Sequence, residues 1–373
     1  VRFWWTLPLA VGACGSSASA PSQCTDAQAL VAASDYSSSA VGALSADGRE
    51  ALRAAADLGG DPALAVSRGR AFFVARDQDA VFEIDPRCGA PKAKYSTHDP
   101  AHKGSSNPQD VAVAPDGALW VPRYNVPSIA VLDASGAIVR AIDLSPFDEV
   151  DANPNASGIV IADVGGAAKA FVTLERLDDA NGLRSTRPSA MLRVDVATAQ
   201  VEAMITLLGR NPFGSYEYDG AIHLAEPGNF DALDEANAGI ERFDIATSTS
   251  RMLVGERDLG GSVARVAVTS GCGAAIVADA STANKTALVT FDPDAGRVLA
   301  PASAPVMATD GFDLSTLVWL TAGGETLLLV GDRRATSGGY AVHVFERTGA
   351  CALRERSAPV ILSQKPVALR VVP

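Results

Sequence analysis

The chain has 373 residues, 47% of them hydrophobic and 20% charged, with a formal net charge of −12. That is ample apolar material for a large core, and the length fits either two or three domains or one large all-β unit. The acidic balance excludes a nucleic-acid surface, which needs clustered Lys and Arg to displace counterions, and it favours a soluble, self-repelling particle.

The segment VRFWWTLPLAVGACGSS carries one early Arg, an apolar run from Phe3 to Val11, and small residues up to Cys14. A run this short reads as the core of a secretory signal, because a spanning helix takes about 20 residues. The VGA before Cys14 resembles the lipobox of bacterial lipoproteins, and the likeness covers only this segment. It implies that residues 1–13 are a signal peptide and that Cys14 is the lipidated first residue of the mature chain. GSSASAPSQ, within 14–27, then reads as a flexible tether. The expected location is the cell envelope, with the membrane contacted through the lipid on Cys14. Gly15 stands where an Asp would resemble an inner-membrane retention signal, so the outer membrane is favoured over the inner, with the protein in the periplasm or at the surface.

From residue 28 onward the chain breaks into short alternating apolar runs, the mark of half-buried strands. ALVAASD, SAVGALS and EALRAAA are three strands over residues 28–56. Residues 107–144 hold four: DVAVAPDG, ALWVPRYN, SIAVLDASG and AIVRAIDL. Their turns, at Pro115-Asp116-Gly117 and Ala134-Ser135-Gly136, are hairpin signals, with Asp accepting backbone N–H bonds and Gly supplying positive φ. The last two strands of that group recur as one phrase. It reads FEIDPRCGAPKAKYS at 82–96, RVDVATAQVEAMITL at 193–207, RFDIATSTSRMLV at 242–254, TFDPDAGRVLA at 290–300 and HVFERTGACALRERS at 343–357. The turn-leading acids Asp85, Asp133, Asp195, Asp244, Asp292 and Glu346 are spaced by 48, 62, 49, 48 and 54 residues. Four strands at such a period are the signature of propeller blades. The long interval contains ERLDDANGLRSTRPS (175–189), an insertion between strands. PVALRVV (366–372) is a lone innermost strand, and joining it to the three strands of 28–56 makes a seventh blade and removes the open sheet edges. The expected fold is all-β, a seven-bladed β-propeller over residues 28–373; a pair of β-sandwiches would need neither a fixed period nor split ends.

NPQDVAVAPDGALWVPRYN (107–125) and FDPDAGRV (291–298) resemble the YVTN and NHL-type propellers over most of this span, with LWVP (119–122) in place of the hallmark tetrapeptide. Such propellers include enzymes and pure binders, so the resemblance assigns a fold and no chemistry.

Setting Cys14 aside, Cys24, Cys88, Cys272 and Cys351 remain, an even number that invites disulfides in an exported protein. Cys272 lies in a first-to-second-strand turn and Cys351 in the third-to-fourth turn of the next blade. Cys24 precedes the second strand of the split blade, and Cys88 again sits in the third-to-fourth turn of the next. Both pairs share one geometric relation, predicting Cys24–Cys88 and Cys272–Cys351; the alternative is four separate buried thiols. No Cys-x-x-Cys zinc spacing occurs.

The second-to-third-strand loops and the inter-blade connections are the long ones, and they share a face, where binding usually resides. Tyr36, Arg76, Arg123, Tyr124, Arg176, Glu226 and Arg333 recur at second-strand ends on that face as candidate ligand contacts. DEVDANPNASG (148–158) offers Asp148, Asp151, Asn153 and Asn155 as possible calcium ligands, although the Gly and closing Glu of an EF-hand are missing. No cofactor is required. Two functions are expected from this set. The first is a monomeric, non-enzymatic envelope lipoprotein that binds a partner protein, a polymer or a small ligand. The alternative resembles the metal-dependent propeller lactonases, a likeness that implies Glu175, Asp279 and Asn125 around an axial ion.

Overall fold

The computed structural model describes residues 27–45, 50–53, 58–230, 236–279, 285–356 and 358–372. Seven antiparallel sheets of four strands stand around a central axis. Blade one is Pro62–Ser67, Arg70–Ala75, Ala80–Ile84 and Pro91–Ser96, counted outward from the axis. Blades two to six repeat this order, beginning at Ala112, Ala156, Gly214, Ser262 and Leu314. Two of them gain an extra outer piece, Met307–Thr309 in blade five and Val360–Leu362 in blade six, each paired with the third strand. Blade seven is split as the sequence predicts: Pro366–Val371 lies innermost, then Ala29–Ser34, Ser39–Leu44 and Glu50–Arg53. Its closing register sets Ala29 opposite Val371 and Leu30 opposite Arg370.

Period-two alternation explains why such sheets need two neighbours. In RAFFVA (70–75), Ala71, Phe73 and Ala75 pack with Leu30, Ala32 and Val41 of blade seven. Phe72 and Val74 point the other way, to Val111, Leu119 and Val121 of blade two. Successive side chains leave a strand on opposite faces, so a blade buried on both sides reads as nearly continuous apolar sequence. Where an aromatic faces glycine the fit is closer still: Gly273 sits across from Phe291, and a Cβ on it would lie 2.2 Å from the ring.

The recurring acids do what the turn chemistry predicts. Asp133 Oδ1 accepts the N–H of Ser135 at 2.8 Å, Asp195 that of Thr198 at 2.8 Å, Asp244 that of Thr247 at 2.9 Å and Asp292 that of Asp294 at 3.0 Å. Each carboxylate thereby fixes the hairpin that joins the two outer strands of its blade.

Cys272, at the start of blade five's second strand, is bonded to Cys351 in the third-to-fourth turn of blade six, with Cα atoms 5.0 Å apart. Cys88 is disulfide-bonded too; its expected partner Cys24 lies outside the described residues, as does Cys14. The Cys272–Cys351 link closes a loop of 79 residues, which removes denatured-state entropy worth on the order of 4 kcal/mol. The double variant Cys272→Ser, Cys351→Ser should therefore unfold at lower denaturant concentration with the far-UV spectrum of the native state unchanged. An unaltered midpoint would show that the link contributes nothing to stability.

Candidate functional site

First strands begin, and second strands end, on one face of the ring. There the axis widens into a bowl of about 500 Å³ whose wall takes residues from all seven blades. Its cationic part comes from three of them. Arg76, at the end of blade one's second strand, is held by Asp61 at 2.5 Å and by Gln109 at 3.1 Å. Arg265 projects from the first strand of blade five. Its Nη1 donates to the carbonyls of Ala264 at 2.7 Å and Phe213 at 3.2 Å, and its guanidinium lies 4.6 Å from the centre of the Phe213 ring. Arg333, from blade six, stands 5.8 Å from the centre of the Tyr36 ring, and its Nε is buried without a hydrogen-bond partner. Burial, reinforced by Arg76, Arg333 and Arg370, pushes Arg265 down to about 10. It stays charged at neutral pH.

Glu175 is the buried acid of the bowl. The Tyr124 hydroxyl donates to its Oε2 at 2.7 Å, yet burial outweighs this bond and lifts the carboxyl to about 7. Burial, with the Glu175 charge behind it, holds Tyr124 well above the ordinary phenol range. Around the mouth stand exposed apolar side chains, Leu183, Phe213 and Phe312, with Phe230 edge-on to Phe213 at 5.2 Å. Tyr36, Leu183 and Phe230 hold left-handed backbone with φ of 68°, 59° and 60°. For bulky residues that conformation costs energy, and such strain concentrates at functional sites.

Tyr36, Arg76, Tyr124 and Arg333 thus meet in the bowl as the second-strand register implies. The other three candidate contacts sit elsewhere. Arg123 leaves the strand on the opposite side from Tyr124; it is buried against Asp99 at 3.1 Å and against Ser128. Arg176 is turned into the loops, paired with Glu149 and donating to the carbonyls of Phe147 and Pro188. Glu226 is buried beside Glu241; burial first, then that neighbouring carboxylate, raise it well above the usual range. Glu241 itself accepts the N–H groups of Leu208 and Gly209, both at 2.8 Å.

Of the four candidate calcium ligands in 148–158, Asp148, Asp151 and Asn155 have their side-chain oxygens engaged within the protein, while Asn153 Oδ1 is buried without a hydrogen-bond partner. Asp148 meets Arg187 and the N–H of Val150. Asp151 accepts the N–H groups of Asn153 and Asp179, while the amides of Asn153 and Asn155 donate to the Asp179 carboxylate. These bonds brace the insertion 175–189 against the preceding inter-blade loop. The residues that the lactonase likeness implies do not converge. Only Glu175 lines the bowl; Asp279 lines a separate cavity with Lys285, and Asn125 is exposed, donating to Ser105. A divalent ion beside Glu175 would also share its space with three arginines, so the residues present do not fit an axial metal. Among the described residues no three His, Cys, Asp or Glu are grouped as metal ligands.

Sequence reasoning missed Arg265, Gln109, Phe213 and Phe312. One signal was available: Arg265 is the sole charge in SVARVAVT, an otherwise apolar first strand, and a long cation on a strand crowding the axis has only the channel to enter. The aromatics stand in loops, where no periodicity marks them.

No protein-family model and no curated protein matches this chain. Solved structures do match it. One is a candidate 6-phosphogluconolactonase from Bacteroides fragilis, with TM-score 0.58, 14% identity, and 95% of this chain and 100% of that one covered. A second, from Bacteroides uniformis, gives 0.58 at 13% identity over 93% and 100%. Apo AztD from Citrobacter koseri gives 0.51 at 16% identity over 92% and 96%. At these identities the likeness is one of fold.

Glu175 makes stability depend on pH in a stated direction. Its carboxyl is raised in the folded state, so its contribution is full below the unfolded value of 4.5 and is lost as pH climbs through about 7. Between pH 4.5 and 8 the unfolding free energy of the native protein should fall on the order of 3 kcal/mol further than that of Glu175→Gln. Parallel pH profiles from denaturant titration would refute this.

Proposed function

We propose that this chain is a lipid-anchored cell-envelope protein that binds a small ligand in the axial bowl of its propeller, without turnover. The bowl carries the reading. Its volume of about 500 Å³ lies within the usual range for small-molecule sites, and its contacts are guanidinium groups and aromatic rings, the types that dominate binding hot spots. A concavity of this size favours a small ligand over a polymer or a protein partner. The anchor rests on the lipobox before Cys14, with the Cys272–Cys351 disulfide in support, since such bonds persist in oxidising compartments.

Ser215 lines both the bowl and the narrower throat beneath it, so Ser215→Trp should fill the site. Native mass spectrometry after incubation with a small-molecule extract of the producing cell should show an adduct on the native protein and none on the variant. Equal adducts, or none on either, would remove this reading.

Glu175 favours a second reading, metal-free hydrolysis of a lactone. A carboxyl poised near neutral with Tyr124 donating to it is a competent general acid–base. On this reading a lactone panel would be turned over by the native protein and left intact by Glu175→Gln; no turnover by either returns the bowl to binding alone.

A further inference from the structure

Three guanidinium groups share the bowl, and among the described residues only Arg76 has a carboxylate partner there. Arg265 spends Nη1 on two carbonyls, and its Nε and Nη2 have no acceptor among the described residues. Arg333 donates no side-chain hydrogen bond among the described residues, and its Nε is buried in that state. A chain with 43 acidic residues against 31 Lys and Arg has carboxylates to spare, yet among the described residues none forms an ion pair with either of these two cations, and Glu175 reaches Arg265 only through the field of its charge. Buried donors such as Arg333 Nε are almost always satisfied, and like charges held together destabilise the empty fold. An incoming group that supplies the missing acceptors resolves both.

We propose that the ligand of the bowl carries an oxyanion, a carboxylate or a phosphate, seated between Arg265 and Arg333, with its apolar part against Phe213 and Phe312. The inference rests on the binding reading and names its ligand class. The planar fork of an arginine presents paired N–H donors that match two oxygens of either anion. Arg76, already oriented by Asp61 and Gln109, adds a third positive charge without being consumed by the contact. The Phe213 ring is shared: one part lies under the Arg265 guanidinium and the rest is exposed to the bowl. That pairing selects an anion attached to an apolar or aromatic body over a bare ion. Glu175, whose carboxyl burial lifts to about 7, tunes the field: its ionisation opposes the arginines, so affinity for a carboxylate ligand, which keeps one charge over this range, is greater at pH 6 than at pH 8.

The test uses three probes of one shape, phenyl phosphate, benzoate and neutral benzyl alcohol, titrated calorimetrically into the disulfide-intact protein at low salt. Both anions should bind and benzyl alcohol should not. The double variant Arg265→Gln, Arg333→Gln should lose at least tenfold in anion affinity, and Arg333→Lys, which keeps the charge without the fork, should fall between. The thermal midpoint of the ligand-free double variant should equal or exceed that of the native protein, because two unneutralised charges have gone. Phenyl phosphate and benzoate diverging would identify which oxyanion is preferred and still support the seat. Benzyl alcohol binding as well as the anions, unaffected by the arginine changes but abolished by Ser215→Trp, would overturn the oxyanion and leave the binding reading standing. Silence from all three probes overturns the oxyanion seat, while the adduct measurement still decides the binding reading independently.

Discussion

The antiparallel pairing of Pro366–Val371 with Ala29–Ser34 closes the ring, and with closure come both the shared core and the axial bowl. Every blade is apolar on two faces, so a blade without a neighbour on each side exposes a full row of Val, Leu and Phe to water. The closing strand removes that exposure twice. On one side Leu369 packs with Val318 and Leu329 of blade six, and its N–H donates to Thr316 Oγ1 at 3.1 Å. On the other, Ala368 joins Leu64 and Phe73 of blade one. Burial at about 25 cal/mol per Å² acts on every interface at once, so the seam is held by the same force as the rest of the ring. The Ser315 hydroxyl, donating to the carbonyl of Pro366 at 2.7 Å, fixes where that strand enters.

Closure also creates the electrostatic contrast at the axis. Seven first strands bring their ends within a few residues' width of one another, and whatever they carry there is crowded and partly dried. The particle as a whole is acidic, but the mouth of the channel gathers Arg76, Arg265 and Arg333, with Arg370 deeper in. A positive cleft with low-dielectric walls focuses its field outward. The carboxyl that could cancel it, Glu175, is pushed up to about 7 by the burial that makes the cleft.

The fold was legible because its signals are local and repeated. An Asp that caps a hairpin is read from three or four residues, and five such turns, with Glu346 in the sixth position, define the ring without any knowledge of long-range contacts. Split ends fix the blade count, since only one lone strand and one three-stranded group remain to be joined. The site was legible in part for the same reason: Tyr36, Arg76, Tyr124 and Arg333 occupy one register position, the end of the second strand, and register places them on one face. That argument fails where the neighbouring residue takes the inward direction, as with Arg123, or where the loop beyond the strand captures the side chain, as with Arg176. It fails for Glu226 because strand alternation says which side a residue faces, and nothing in the local sequence tells that Glu241, which pairs with Leu224 on the next strand, will lie beside it. Phe213 and Phe312 are placed by tertiary packing of loops, which has no period to read.

The split blade has a kinetic side. Residues 29–44 are made early and 366–371 more than 300 residues later, yet they are adjacent strands of one sheet. No intermediate that lacks the late strand can hide the facing surfaces of blades one and six, so the half-built ring is sticky until that segment arrives. Long-range pairing of this kind slows folding and prolongs the interval in which aggregation competes. The last turn of the ring is therefore a commitment step, reached only when almost the whole chain is present, and it converts a row of individually marginal sheets into one cooperative body.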